Sequence, residues 1–485
     1  MSFNISLTAI LNELFIINIF LAILLVFFER RNPRNTLTWL MVLLFIPIAG
    51  FILYLFLGQD LRKRKLFNLK SEDEAKIIRD NYRQQALLET DSCQFNDPRC
   101  HQYTDMIRLH LLSSSSIFTQ DNYVEIYNEG HAKFAALLES LNNAKNFILM
   151  EYYIIRNDSL GKKVVQILTA KAKEGVEVRL LYDGMGCIRL PQKFFQPLLE
   201  AGGQTAVFFP PFIPYINFRL NYRNHRKICV IDGEEAFLGG FNIGNEYLGL
   251  SKKFGFWRDL HLKIKGSAVN SLTLRFLLDW RFASKEDVSF EKFFAPKKSC
   301  PQGGKAIQIV SSGPDSKWRS IKTGYLKIIA SARKHIYIET PYFIPDESIF
   351  NALVIASLSG VDVRIIIPNK PDHLFVYWAS LSYCGELLEA GIRFFTYKKG
   401  FIHSKMITAD GFVSSVGTAN LDIRSFKINF EVNSFLYSSE IAQQLEEIFM
   451  QDMLDSTEIT LERYRKRSML VKTKESVSRL LSPLL

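Results

Sequence analysis

The stretch HRKICVIDG (225–233), followed at 239–242 by GGFN, has a counterpart in HSKMITADG (403–411), followed at 417–420 by GTAN. In both, Lys stands two residues after His, Asp seven after and Asn seventeen after. One copy therefore holds His225, Lys227, Asp232 and Asn242, and the other His403, Lys405, Asp410 and Asn420. A single pattern of this kind arises by accident, but two at equivalent places in one chain are expected by chance less than about once in a thousand at ordinary composition. Alternate residues of a strand share a face, so each His and Lys is expected to point into one cleft. Asp-Gly after an apolar run is a hairpin signal, and the returning strand brings Gly240 and Asn242, or Thr418 and Asn420, beside the pair. Asp232 and Asp410 have two readings, as acceptors that fix the turn or as direct participants in the chemistry.

The repetition extends outward from the motifs. AKNFILMEYYI (144–154) parallels ARKHIYIETPYFI (332–344), GVEVRLLYD (175–183) parallels GVDVRIIIP (360–368), and EAGG (200–203) parallels EAGI (389–392). Each half reads as apolar strand, amphipathic helix, second apolar strand, which predicts an α/β fold of two duplicated halves with buried mixed sheets flanked by helices. The first half carries eleven extra residues in FFPPFIPYINFRLNYRN (208–224), a Pro- and aromatic-rich loop that reads equally as a lipid-facing lip or a rigid surface excursion. Asp259 in FWRDLHL (256–262) and Glu431 in NFEVNSF (429–435) occupy corresponding segments. They are read either as groups orienting the histidines or as partners in plain salt bridges.

Two imidazoles, two ammonium groups and two amides around one cleft suit a phosphodiester. Lys and Asn hold non-bridging oxygens and stabilise charge that builds in the transition state. Two histidines allow one to attack phosphorus while the other protonates the leaving alcohol.

Composition sets the frame. In 485 residues, 48% hydrophobic and 22% charged, disorder, collagen-like repeats and a wholly membrane-buried transporter are excluded, and two or three domains are expected. Residues 1–61 balance Glu13, Glu29 and Asp60 against Arg30, Arg31 and Arg34, so the whole net charge of +11 lies in residues 62–485. That basic body is attracted to anions such as phospholipid headgroups or nucleic acid. The six cysteines are scattered, which fits a reducing compartment, and the eight histidines form no HExxH or HxH, so no metal site is indicated.

Two apolar runs, 7–28 and 37–57, are each about the length needed to cross a bilayer and predict a transmembrane hairpin. Arg62, Lys63, Arg64, Lys65 and Lys70 after the second run, against Arg30, Arg31 and Arg34 in the connector, place the body on the cytoplasmic side. Residues 71–90 open with a capping box, Ser71 to Glu74, and this charged helix with the Ser113–Ser116 run reads as a solvated spacer. The resulting division is 1–60 hairpin, 61–120 linker, 121–295 first half and 296–485 second half.

With these residues in view, the chain resembles the phospholipase D superfamily through its paired HxKxxxxD…G[GT]xN motifs. It resembles the bacterial cardiolipin synthases through TPYFIPDE (340–347), SSGPDS (311–316), FWRDLHL (256–262), GFIHSK (400–405) and VGTANLDIRSFKINFEVN (416–433). Trp39, Pro47, Gly50, Tyr54 and Gly58 also stand at the spacing of that family's hydrophobic N-terminal segment. The resemblance implies transfer between two phosphatidylglycerol molecules, giving cardiolipin and glycerol, without metal or other cofactor. It implies a phosphatidyl-histidine intermediate on one histidine with the other as acid and base, and Lys227, Lys405, Asn242 and Asn420 on the phosphoryl oxygens. The paired motifs do not distinguish the two histidines, and His225 is taken as nucleophile and His403 as acid and base as a hypothesis to be tested. It also implies a multi-pass protein of the bacterial inner membrane whose partners are anionic phospholipids rather than nucleic acid. Hydrolysis of phospholipid, transfer from another donor such as phosphatidylethanolamine, and a tethered nuclease are the competing readings; a scaffold on a dead enzyme fold predicts a damaged motif, and both motifs are complete. Nothing in the sequence bears on oligomeric state.

Overall fold

Strands β1 (Phe118–Glu129), β2 (Phe147–Tyr152), β3 (Glu177–Asp183), β4 (Gln204–Phe208), β5 (Arg223–Asn224), β6 (Ile228–Ile231), β7 (Glu235–Gly239) and β8 (Phe256–Lys265) build the first half. The second contains β9 (Lys305–Ser312), β10 (His335–Glu339), β11 (Phe343–Ile344), β12 (Asp362–Pro368), β13 (Arg393–Tyr397), β14 (Gly400–Ile402), β15 (Met406–Ala409), β16 (Val413–Gly417), β17 (Leu421–Asp422), β18 (Asn429–Tyr437) and β19 (Ser456–Ile459). The structure is a computed structural model describing residues 7–28, 33–46, 49–50, 53–54, 71–90, 92–191, 193–210, 221–294, 300, 303–480 and 482.

Strand order is the same in both halves. In the first it runs β4-β3-β2-β6-β7-β8-β1, with β4, β3 and β2 parallel and the remaining neighbours antiparallel. In the second it runs β13-β12-β10-β15-β16-β18-β9 with the same senses, and β19 adds on the edge beside β13. β1 pairs with β9, Phe118 opposite Gln308, and joins the two. This mixed α/β architecture follows from the apolar runs. β2, β15, β16 and β18 are buried at every position, as strands covered by helices on both faces must be. A core shared by the halves packs Leu272, Phe276 and Trp280 of helix Ala268–Ser284 and Leu445 and Phe449 of helix Ser439–Leu454 with Phe430 and Ile402.

Each motif strand ends in a tight turn. Asp232 and Gly233 have φ of 54° and 68°, and Asp410 and Gly411 have 54° and 65°. Two successive residues with positive φ match the primed hairpin turn that Asp-Gly favours.

The 61–120 linker is not a separate segment over its last part. Cys100, Tyr103, Met106, Ile107 and Leu111 are buried in the core of the second half, and of the Ser113–Ser116 run only Ser116 is buried. The apolar positions of helix Thr104–Ser114 recur at helical spacing and so form a packing face, which the serine run behind them obscured. Helix Ser71–Glu89, in contrast, is largely exposed along its described side chains.

Near the N-terminus, helices Leu7–Phe28 and Pro33–Phe45 meet through Leu25 and Leu43, Tyr54 beyond the second helix joins the cluster with Trp39 edge-on to it at 5.4 Å, and the Asn18 amide donates to Leu43 O at 3.0 Å. Among the described residues no helix is long and apolar enough to cross a membrane, so the two-span hairpin rests on the sequence. The basic run at 62–65, Lys70 and most of the Pro-aromatic loop, 211–220, lie outside the described residues.

Candidate active site

Two short pairings across the halves build the site. β5, just before His225, lies parallel to the start of β18 with Asn224 opposite Phe430; β14, just before His403, lies parallel to the start of β8 with Ile402 opposite Arg258. The backbone N–H of His225 donates to Phe430 O at 2.9 Å, and that of His403 to Arg258 O at 2.6 Å. This register sets each histidine against the acid that comes next on the opposite half. His225 Nδ1 lies 3.0 Å from Glu431 Oε2 and 3.1 Å from Thr418 O, and His403 Nδ1 lies 2.6 Å from Asp259 Oδ2.

Carboxylate and carbonyl oxygens only accept, so both imidazoles carry their proton on Nδ1 and keep the Nε2 lone pair for chemistry. Lys405 Nζ is also 2.8 Å from His403 Nδ1, but an Nδ1–H donating to Asp259 leaves no lone pair there for the ammonium. Instead each lysine folds back on its own motif. Lys227 Nζ donates to His225 O at 2.6 Å, and Lys405 Nζ donates to His403 O. Aromatic walls complete the setting, with Tyr153 4.9 Å from the His225 ring, Trp257 5.2 Å from that of His403, and Tyr342 on the His403 side at 6.5 Å.

All four basic groups are buried, and burial disfavours their charged forms. It lowers His403 to about 4, with Lys405 adding to the effect and Asp259 opposing it. It also lowers His225, against the pull of Glu431. Burial takes Lys227 to about 7 and Lys405 to about 8, with Glu431 and Asp259 respectively opposing. Burial alone would raise Glu431, but His225 and Lys227 hold its carboxyl below the usual range. The site without ligand is thus a pair of neutral imidazoles beside two readily neutralised ammonium groups, a setting that an entering anion charges up.

His225, Lys227, Thr418 and Glu431 converge here with His403, Lys405 and Asp259. Gly240 belongs to the same cluster, because a Cβ at this position would stand 2.0 Å from Asp259 Oδ1. Asp232 and Asp410 are elsewhere. Their carboxylates accept the backbone N–H groups of Lys145, Asn146 and Phe147, and of Arg333, Lys334 and His335, at 2.7 to 3.0 Å. They tie the hairpin turn to the start of the neighbouring strand, at the opposite end of β6 and β15 from the histidines. Asn242 accepts from Ile154 N at 3.1 Å and donates to Tyr247 Oη at 3.2 Å, and Asn420 donates to Asp422 Oδ2 at 3.1 Å. Both amides brace the loops that follow β7 and β16.

Sequence reading passed over two arginines that stitch the site together. Arg226 ion-pairs with Asp279 at 2.6 Å and donates through Nε to Glu431 O at 3.2 Å; Arg258 ion-pairs with Asp452 of the other half at 2.7 Å. Arg226 stands between His225 and Lys227, and Arg258 next to Asp259. A charged residue beside a motif residue in an otherwise apolar strand was the available signal. Among the described residues no group of three or more His, Cys, Asp or Glu is placed to hold a metal ion.

Comparison with known proteins agrees with this geometry. A family described as "Cardiolipin synthase, PLD-like domain" matches residues 137–256 and 325–453, one segment per half, and one described as "Phospholipase_D-nuclease N-terminal" matches residues 16–59. A cardiolipin synthase of Listeria monocytogenes serotype 4a is 48% identical over 473 residues, covering 97% of this chain and 98% of that protein. The major cardiolipin synthase of Bacillus subtilis is 49% identical over 477 residues, covering 98% and 99%. In fold, the chain is similar to the phosphatidylserine synthase of Haemophilus influenzae, with a TM-score of 0.61 at 14% identity over 79% of this chain and 100% of that one. With both halves matched by the family and nearly the whole length shared with its bacterial members, the chain belongs to the cardiolipin synthases of the phospholipase D superfamily.

Proposed function

We infer that this chain is a phosphatidyltransferase that joins two phosphatidylglycerol molecules into cardiolipin and releases glycerol. The observation that carries the reading is the pair of Nδ1-anchored imidazoles, each with its lysine, assembled from both halves around one cleft. In the first step His225 Nε2 attacks phosphorus, the bond from phosphorus to the glycerol oxygen breaks, and His403 Nε2–H protonates the departing alkoxide. In the second, the free hydroxyl of another phosphatidylglycerol gives its proton to His403 and attacks phosphorus, and the P–N bond to His225 breaks. Lys227 and Lys405 neutralise the non-bridging oxygens throughout. Because burial lowers both imidazoles, the acid role of His403 depends on the phosphodiester anion raising its proton affinity on arrival. Asp259 and Glu431 fix the tautomers and stabilise the imidazolium when it forms.

The chain is further proposed to be held in the bacterial inner membrane by a hairpin within residues 1–60, with residues 61–120 leading into, and from Cys100 onward packing against, catalytic halves at 121–295 and 296–485 that face the cytoplasm. The two apolar runs and the N-terminal family match over 16–59 support this. Tethering keeps enzyme and both lipid substrates at one surface, where the second lipid outcompetes water.

The deciding assay gives purified full-length protein mixed micelles of phosphatidylglycerol and resolves lipid products and free glycerol. Cardiolipin with equimolar glycerol is expected; phosphatidic acid as the main product would make the chain a hydrolase. Mapping of the phospho-enzyme trapped in denaturant at neutral to alkaline pH, where the acid-labile P–N bond survives, should place the phosphatidyl group on His225, and its recovery on His403 would reverse the two roles.

A further inference from the structure

Helix Met469–Leu480 is packed the reverse of an ordinary surface helix. At 3.6 residues per turn, Met469, Leu470, Val477 and Leu480 fall within an arc of about 100°. Their side chains face outward, from 49% exposed at Val477 to 81% at Leu480. The opposite side carries Glu475 and Ser478, each only 2% exposed, and Glu475 is fixed inward by an ion pair with Arg467 at 2.9 Å. A helix that buries its polar side and shows its apolar side to the outside is stable only if something apolar covers it.

The neighbouring helix, Leu374–Glu389, extends this face. Lys474 Nζ lies 5.3 Å from the Trp378 ring and Arg479 bonds Glu386 at 3.0 Å, so the helices run side by side in the same direction. Leu374 and Phe375, 64% and 55% exposed, therefore sit at the end where Met469 and Leu470 lie. That end also adjoins the catalytic cleft. Tyr342, beside the His403 ring, donates its hydroxyl to Asp372, two residues before Leu374.

Charge identifies the occupant. Residues 461–480 contain seven Lys or Arg against two Glu, and after Arg465 and Arg479 are paired with Glu389 and Glu386 of the neighbouring helix a net +3 remains. On the helical wheel Lys474 flanks one side of the apolar arc and Lys472 and Arg479 the other. An apolar stripe edged by cations on both sides is complementary to an anionic lipid surface, with the stripe among acyl chains and the cations at the phosphates.

We propose that helix Met469–Leu480, together with Leu374 and Phe375, is an interfacial docking face that lays the mouth of the catalytic cleft on an anionic phospholipid bilayer. The proposal rests on the lipid-substrate reading and adds the surface through which the catalytic body, as distinct from the N-terminal hairpin, meets its substrate. It explains why the apolar side is left outward next to the cleft.

The test uses full-length protein reconstituted in vesicles of phosphatidylglycerol with phosphatidylcholine, and in vesicles of phosphatidylcholine alone. Hydrogen exchange should slow over 469–480 and 374–378 in the first and much less in the second. The triple variant Leu470→Glu, Val477→Glu, Leu480→Glu changes only exposed positions; it should lose this protection and raise the apparent KM for vesicle phosphatidylglycerol about tenfold. Its turnover of monomeric dihexanoyl phosphatidylglycerol should equal that of the parent. Lys472→Glu with Lys474→Glu should weaken the preference for anionic vesicles by about fivefold per charge. Unchanged exchange with lipid present would overturn the proposal, as would protection that appears in detergent alone and grows with protein concentration, which would make the face a contact between copies. Protection without any turnover by the parent protein would leave the docking face standing and sink the transferase reading instead.

Discussion

His403 is held by Asp259, a short acid whose carboxylate fits only because residue 240 is glycine, whereas His225 is held by the longer Glu431, and the residue in the glycine's place is Thr418, whose carbonyl adds a second acceptor. The surrounding backbones are copies, with the same strand order, the same Asp-Gly turn and the same lysine folded onto the histidine carbonyl. The difference shows where duplication stops constraining the molecule. A cleft assembled from two copies needs both backbones alike so that they meet, but a two-step reaction needs two histidines with different tasks. The unequal acid, its unequal neighbour and the unequal aromatic wall, Tyr153 against Trp257, are where that inequality is built.

Removing either imaginable centre of this comparison gives the largest effect. His225→Ala and His403→Ala should each cut turnover by at least about a thousandfold, since one removes the attacking group and the other the proton carrier. Retention of more than a few per cent by either variant in the micelle assay would end the two-histidine mechanism. Lys227→Met and Lys405→Met should each lower kcat about a hundredfold by removing stabilisation of the phosphoryl oxygens.

Gly240→Ala separates the two sides more finely. A methyl group 2.0 Å from Asp259 must displace that carboxylate, so kcat should fall towards the level of Asp259→Asn, about tenfold or more, with folding intact by circular dichroism. Thr418→Ser leaves the carbonyl and hydroxyl in place and should change kcat little; equal losses from the two would mean that the acids are not set by these neighbours. In the smallest class, Asp232→Ala and Asp410→Ala should lower thermal stability by about 1–3 kcal/mol, as three backbone donors lose their acceptor, while kcat per folded molecule stays within a few-fold.

Acidity offers an independent view of the same site. His403 is lowered from its usual 6.5 to about 4, so the unfolded chain binds a proton between those values that the folded chain refuses. Its contribution to stability is therefore present above about 6.5 and is lost as pH falls towards 4. His403→Gln should flatten that acid limb in thermal denaturation, and an unchanged limb would mean that other groups govern it. On the alkaline side Lys227, lowered to about 7, loses its charge first, so kcat/KM should decline above neutrality and Lys227→Arg should move the decline upward in whatever activity remains.

Much of this was legible in the sequence because it is local. The same-face placement of His225 with Lys227, and of His403 with Lys405, follows from a two-residue period, and the Asp-Gly turns follow from the two residues that tolerate positive φ. The buried strands declared themselves through unbroken apolar runs. The burial of 100–116 did not, since a helix of mixed composition shows its packing face only when the partner surface is known. The loop-bracing bonds of Asn242 and Asn420 were also beyond local reading, because an amide has donors and acceptors for many partners, and only the folded chain shows that Ile154, Tyr247 and Asp422 are among them.

By itself, then, the sequence determined the duplication, the two His-Lys pairs, the α/β character and the family, all of which depend on spacing within a few residues or on order along the chain. Only the tertiary structure decided which acid serves which histidine. Glu431 lies 206 residues from His225 and Asp259 lies 144 from His403, and each acid reaches the histidine of the other half because β5 docks on β18 and β14 on β8. Two registers of a few backbone hydrogen bonds set that exchange, and they form only once both sheets exist, since neither short strand has a partner of its own within its half.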